Sequence, residues 1–349
     1  MPPWSLLTIA LATTGTPPGP AVADCAGLQP LAVLLADPAN AEIELEPGCD
    51  HPVNNVPIAH DVSVIGQVPA TGVSRPRIRF TTAAAGGNLF GVSAGTVSFE
   101  ALDLHGLDDL GQPGGRALHA TGGTVDFTDV DFSAFFGTTY GGVMRVGVSV
   151  VNVDGGTIED NQGHWGGVVW VDTGGDLTFS SVTANGNVAS GAGGFAYVEA
   201  GGVMRLFAVT ASEHSAPYGG FVAHRGEVVV DGLTSEDHTA TGAGGGFYVE
   251  NTGSVLSLCN ATLDGGSAGT QGGAMYVRGA TTIGTGCGTS SGPGPVSFAN
   301  HSANEGGAST PWPRAPPSPS TRRPSPTTAP PTTVARSSCN PTPPASMES

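Results

Sequence analysis

The chain has 349 residues, 55 of them glycine, and only 12% are charged, with all twelve cations arginine and none lysine. The formal charge of −17 argues against a nucleic-acid binder, which needs a basic face. So much glycine argues against a helical globule, because each one costs about 1 kcal/mol against alanine inside a helix.

Residues 5–13 are a short apolar segment, and Ala21-Val22-Ala23 has the A-x-A form of a leader-peptidase site before Asp24. Residues 1–23 are therefore read as a signal peptide, which directs the rest outside the cell or to its surface. No apolar run is long enough to span a membrane as a helix, and no anchor is legible. Cys25 and Cys49 flank the first structural unit. Residues 28–36 form an apolar helical stretch ending near Pro38, followed by Ile43-Glu44-Leu45, Pro47-Gly48 and the run Val62 to Gly66. That order of helix, strand, turn and strand suits a cap over the first coil of a solenoid, whose open end is otherwise a sticky edge.

From residue 86 onward the chain is periodic. Gly-Gly pairs begin at Gly86, Gly114, Gly141, Gly166, Gly193, Gly219, Gly245, Gly272 and Gly306, at intervals of 28, 27, 25, 27, 26, 26, 27 and 34. The repeated pairs are thus Gly141-Gly142, Gly166-Gly167, Gly193-Gly194, Gly219-Gly220, Gly245-Gly246 and Gly272-Gly273 in the regular part. A second pattern keeps the same phase: Val97, Phe99, Leu102; Val125, Phe127, Val130; Leu177, Phe179, Val182; Met204, Leu206, Val209; Val228, Val230, Leu233. Its first two members alternate as in a strand with one buried face. The following two-residue gap breaks that alternation and requires a bend. Each repeat thus holds about three short strands separated by corners. It cannot bury its own apolar face, but stacked copies can.

These observations predict an all-β chain, a right-handed parallel β-helix of about ten coils of ~26 residues spanning residues 24–308, since such crossover connections are right-handed. At ~4.8 Å per coil the rod would be roughly 45–50 Å long. The Gly-Gly pair belongs at a corner where φ is positive or a close backbone leaves no room for a Cβ. Polar stretches precede most pairs, as in Asn185-Gly186-Asn187, Glu213-His214-Ser215, Glu236-Asp237-His238 and Asn300-His301-Ser302. They read as structural turn and ladder residues. Cys259 and Cys287 lie 28 residues apart, about one coil, so both this pair and Cys25 with Cys49 could be disulfides in an oxidising compartment. Buried free thiols remain the alternative for the second pair.

The stretch from Phe298 to Ala308, with Asn300, Asn304 and Gly306-Gly307-Ala308, resembles the repeats of polymorphic outer-membrane proteins. There an aromatic residue, an Asn and small residues precede Gly-Gly-Ala. The likeness is loose over residues 86–308 and close only in that stretch. It implies a pectate-lyase-like β-helix displayed on a cell surface, often as an adhesin, normally followed by a membrane barrel that this chain lacks.

At Ser309 the composition changes. Residues 309–349 hold twelve prolines, four arginines, one acid and no glycine, the composition of a disordered Pro/Thr/Ser-rich tail. A shifted reading frame explains it better. Read one base earlier, residues 324–336 can encode a Phe from Ser325, Asp-Asn from Thr327-Thr328 and Gly-Gly from Val334-Ala335, the last falling 28 positions after Gly306. On this reading the native repeat continues and Cys339 has no structural meaning.

Few residues suggest chemistry. The candidate acids are Asp103, Asp126, Asp129, Asp131, Asp154, Glu159 and Asp160, with only Arg116 and Arg145 near them in sequence. A glycosidase needs paired carboxylates and a lyase a cation against developing charge. The acidic balance disfavours an acidic polysaccharide. No H-x-x-x-H or C-x-x-C zinc spacing, nucleotide loop or calcium nonapeptide occurs. No catalytic residue, cofactor or metal is expected. The expected function is a non-catalytic secreted or surface solenoid, adhesin-like or a structural envelope component, meeting a surface protein or a glycan. The alternative is a polysaccharide lyase or glycoside hydrolase.

Overall fold

The structure, a computed structural model, describes residues 19–26, 29–67, 71–81, 87–107, 114–284 and 294–305. The Pro-rich tail, Gly86, Gly306 and Cys287 lie outside these residues. The described chain is an all-β parallel solenoid of about eight turns. One sheet holds nine strands stacked from Val56–Ile58 to Met275–Val277. Turn length varies, which accounts for part of the difference from the ten coils expected: Phe90 stacks on Val56, and Ala303 on Ala268.

Each regular turn begins with a five-residue strand, such as Thr96–Glu100, Thr124–Thr128 or Asp176–Ser180. The apolar pattern stacks in register, with Val97, Val125, Val151, Leu177, Met204, Val228 and Leu256 in one column. Phe99, Phe127, Val153, Phe179, Leu206, Val230 and Leu258 form the next. All lie at most 1% exposed in one continuous core. Phe99 and Phe127 stack with ring centres 5.1 Å apart, a ring-on-ring contact that adds to the burial itself.

The two-residue gap in the pattern is a left-handed bend. Ala101, Asp129, Ser181, Ala208 and Asn260 have φ of 56°, 52°, 57°, 52° and 48°. The chain then enters a second row of strands, which brings Leu104, Phe132, Ile158, Ala184 and Ala211 into another inward column. A second left-handed corner follows at Ala134, Asp160, Gly186, Glu213 and Asp237. The next residue points inward. Asn161, Asn187, His214 and His238 are all at most 1% exposed. Each accepts a backbone N–H from the coil before: Phe135 N–H to Asn161 Oδ1 at 2.9 Å, Asn161 N–H to Asn187 Oδ1 at 3.0 Å, Asn187 N–H to His214 Nδ1 at 3.0 Å, and His214 N–H to His238 Nδ1 at 3.2 Å. The polar stretches are thus one inward ladder that satisfies the corner donors.

A short helix, Leu31–Ala36, buries Leu31 and Leu35 in the core. Ala21–Ala23, inside the segment read as a leader, is itself a strand paired with Glu42–Leu45. Cys25 and Cys49 are disulfide-bonded with Cα atoms 5.3 Å apart. Cys259 is buried and disulfide-bonded.

Candidate functional site: an aromatic groove at the Gly-Gly corner

The Gly-Gly pairs build a third corner. Gly141, Gly166, Gly193, Gly219 and Gly272 have φ between 62° and 72°. The second glycine of each pair faces the next coil. A Cβ at Gly142, Gly167, Gly194, Gly220 or Gly245 would overlap the carbonyl oxygen of Gly167, Gly194, Gly220, Gly245 or Gly273 respectively, and one at Gly273 would meet the Ser302 oxygen at 2.5 Å. Their N–H groups bond straight across, as Gly167 to the Gly193 oxygen at 2.9 Å. One pair differs from the sequence reading. In the run Gly244-Gly245-Gly246 the left-handed residue is Gly244, with φ 72°. The register of Phe247 on Met275 makes Gly244-Gly245, not Gly245-Gly246, the equivalent of Gly272-Gly273.

This corner is re-entrant. Trp165 precedes the pair and Trp170 follows it, yet their ring centres lie 6.3 Å apart. Outward side chains diverge at a convex corner and converge only at a concave one. In Val169–Val171 the two valines belong to the solenoid core, while Trp170 joins a separate cluster with Ala192, Tyr197 and Ala223, edged by Trp165 and Tyr248. Alternation along the strand puts that cluster on the opposite, outer face.

The outward column of this sheet is, in register, Gly91, His119, Arg145, Trp170, Tyr197, Ala223, Tyr248 and Tyr276. Trp170 stacks on Tyr197 at 4.6 Å, and Tyr248 on Tyr276 at 5.2 Å. From the facing wall Trp165 meets Tyr197 edge-on at 5.3 Å, Tyr140 leans on Trp170 at 4.6 Å, and Tyr218 lies 5.2 Å from Tyr248. Trp170 and Tyr197 are 8% and 2% exposed, so they are the scaffold, whereas Tyr140 and Tyr218, at 37% and 46%, offer their rings to solvent.

Charged groups line the same groove. Asp172 accepts from Arg145 Nε at 2.7 Å and from Trp170 Nε1 at 2.6 Å. The Arg145 guanidinium also lies 5.0 Å from the Tyr140 ring centre, a cation–π contact. Arg225 bridges Glu250 at 2.5 Å and Glu199 at 3.5 Å. The hydrogen bond that Arg225 donates to Glu250 raises the Arg225 pKa, so its charge stays in place. Tyr197 donates its hydroxyl to Glu250 Oε2 at 2.8 Å, and burial raises its pKa. Burial and the neighbouring Arg116 and Arg145 lower the His119 pKa.

The sequence-level acids lie elsewhere. Asp103, Asp126, Asp129, Asp131 and Asp154 are on the first two strand rows or their bend, and Glu159 and Asp160 end the second row. Their cations are not Arg116 and Arg145. Arg77 pairs with Asp103 at 2.7 Å, and Arg75 with Asp129 at 2.6 Å and Asp131 at 3.5 Å. Asp131 Oδ1 also accepts from the Thr157 N–H at 2.8 Å, and Asp126 from Asn152 at 2.7 Å. Asp103, Asp126, Asp129 and Asp131 thus tie one coil to another. The groove aromatics carried a sequence signal, since Trp170, Tyr197, Tyr248 and Tyr276 all fall four residues after a left-handed glycine. Cys25, Glu46 and Cys49 form a cluster with metal-ligating atoms, but the two sulfurs are bonded to each other and offer no thiolate.

Fold and groove together define a parallel β-solenoid with an aromatic re-entrant groove along one corner. No protein-family model, curated protein or solved structure matches the chain. Among the described residues no helix is long and apolar enough to cross a membrane.

Proposed function

We propose that the protein is a non-catalytic, exported solenoid that binds a ligand along the aromatic groove, in the manner of a surface adhesin. One observation carries this: a chain with 6% aromatic residues gathers Tyr140, Trp165, Trp170, Tyr197, Tyr218, Tyr248 and Tyr276 outside its core, at one corner. Rigid amphipathic rings flanked by carboxylates and arginines suit the apolar faces and hydroxyls of a glycan, or a protein hot spot. The resemblance of residues 298–308 to polymorphic outer-membrane protein repeats and the Ala21-Val22-Ala23 site favour display outside the cell. The test uses Tyr140→Ala and Tyr218→Ala, both at exposed positions, and measures binding of the full chain to immobilised glycans and to cell surfaces. Wild-type binding that drops at least tenfold in the double variant supports the reading. Wild-type binding that the double variant leaves unchanged sinks it.

A second reading has one observation behind it: Glu199 and Glu250 flank the same guanidinium beside Tyr197. A glycosidase with this pair would release reducing ends from an oligosaccharide and lose that activity in Glu199→Gln and Glu250→Gln.

A further inference from the structure

The groove has one anomalous end. The pairing of Leu118 on Met144 extends back to set Arg116 against Gly142. Arg116 therefore occupies the second-glycine position that is Cβ-less in the following coils. Gly115, just before it, has a φ of 157°, well away from the 62–72° of the regular corner glycines. Arg116 is only 6% exposed, and its Nε has no hydrogen-bond partner. Its electrostatic neighbours are Arg145, which repels it, and Asp172, which attracts it. Both belong to the groove face, so the guanidinium looks into the groove. Asp172 is already engaged by Arg145 and by the Trp170 ring nitrogen. His119 stands beside them, in register with Arg145. In a chain of charge −17, two arginines and a histidine lie together, and among the described residues Asp172 is the acid that answers them.

We infer that this end of the groove is an oxyanion site, a local cationic exception to the acidic balance that disfavours acidic polysaccharides over the chain as a whole, and that it takes the carboxylate or sulfate of an acidic saccharide whose rings lie along Tyr140 and the aromatic column. The inference rests on the groove being the binding face and names the chemistry of its ligand. A guanidinium held out of water without its full set of acceptors is costly by itself. A planar oxyanion supplies those acceptors in forked geometry. The surrounding rings exclude water, which strengthens the charge pairing. Arg145, steered by Asp172 and Tyr140, is placed to hold the far oxygen.

The experiment follows tryptophan fluorescence of the full chain, with Trp165 and Trp170 at the site, during titration with three probes of equal length: an oligogalacturonate, a sulfated heparin-derived oligosaccharide and a neutral cello-oligosaccharide. Wild type should bind a charged probe at least tenfold more tightly than the neutral one, with affinity falling as salt rises. The better charged probe distinguishes carboxylate from sulfate. Arg116→Gln should abolish the preference, and Arg116→Lys, which keeps the charge but not the fork, should retain part of it. Equal wild-type affinity for charged and neutral probes overturns the inference and leaves the groove reading intact. So does a folded Arg116→Gln with undiminished preference. Binding of none of the probes overturns both for saccharides. If Arg116→Gln does not fold, the wild-type preference, its salt dependence and Arg116→Lys decide the matter.

Discussion

Replacing Gly194 by valine tests the account of the corner most directly. A Cβ there would overlap the Gly220 carbonyl oxygen and sit 2.7 Å from the Ser215 nitrogen and 2.9 Å from its oxygen. Ordinary contact distances are ~3.5 Å. The coil would have to move by more than half an ångström against three backbone atoms, none on a flexible side chain. Such a shift stretches the Gly194 N–H bond to the Gly219 oxygen, now 3.1 Å, and the Gly193 N–H bond to the Tyr218 oxygen, now 2.8 Å. Each buried group left unpaired costs about 1–3 kcal/mol, so losing both N–H bonds should cost roughly 2–6 kcal/mol, reaching the exceptional end of single-residue effects. Because a solenoid's stability is summed over neighbouring coils, the loss should be local. Urea unfolding followed by circular dichroism gives the total. Amide hydrogen exchange should show lost protection at residues 188–224 before distant coils. Gly91→Ala is the control: nothing lies within 4 Å of a Cβ there, so the change should stay within about 0.5 kcal/mol. A Gly194→Val protein within 1 kcal/mol of wild type would refute the corner argument.

Acid should weaken the fold. Burial pushes His238 down to about 3, His224 down to about 4 and His214 well below its usual value. The unfolded chain therefore binds protons below pH ~6.5 that the folded chain does not, and stability must fall as pH drops from there, by up to ~1.4 kcal/mol per pH unit per histidine. Thermal melts between pH 7 and 5 should show this, and His238→Asn should flatten the slope, since asparagine already fills that column in earlier coils. Asn187→Leu should cost about 2–4 kcal/mol, because it orphans the Asn161 N–H and the Ile158 oxygen. A melt unchanged from wild type contradicts the ladder. Opening the Cys25–Cys49 disulfide, with its sequence separation of 24, should cost about 3 kcal/mol, measurable as a fall in Tm under reductant.

The sequence by itself determined the solenoid, because stacking is a one-dimensional problem. Columns such as Val97 to Leu256 and Phe99 to Leu258 recur every 24 to 28 residues, and each repeat's apolar face can be buried only by its neighbour. The two-residue gap after Phe99 likewise announced a bend, which Ala101 makes with φ 56°. The pair within Gly244-Gly245-Gly246 was beyond sequence reading, since three identical residues carry no phase until Phe247 stacks on Met275. The partners of the acids were equally hidden. Arg75 reaches Asp129 across 54 residues, spanning the intervening coil that carries Asp103. The groove was decided by tertiary structure alone. Trp165 and Trp170 stand at fixed places in the repeat, but period and alternation say only that a side chain points outward. Whether outward side chains on two walls diverge or meet depends on the sign of the turn between them. That sign follows from the three-dimensional path through the left-handed glycine, which brings the two rings to 6.3 Å.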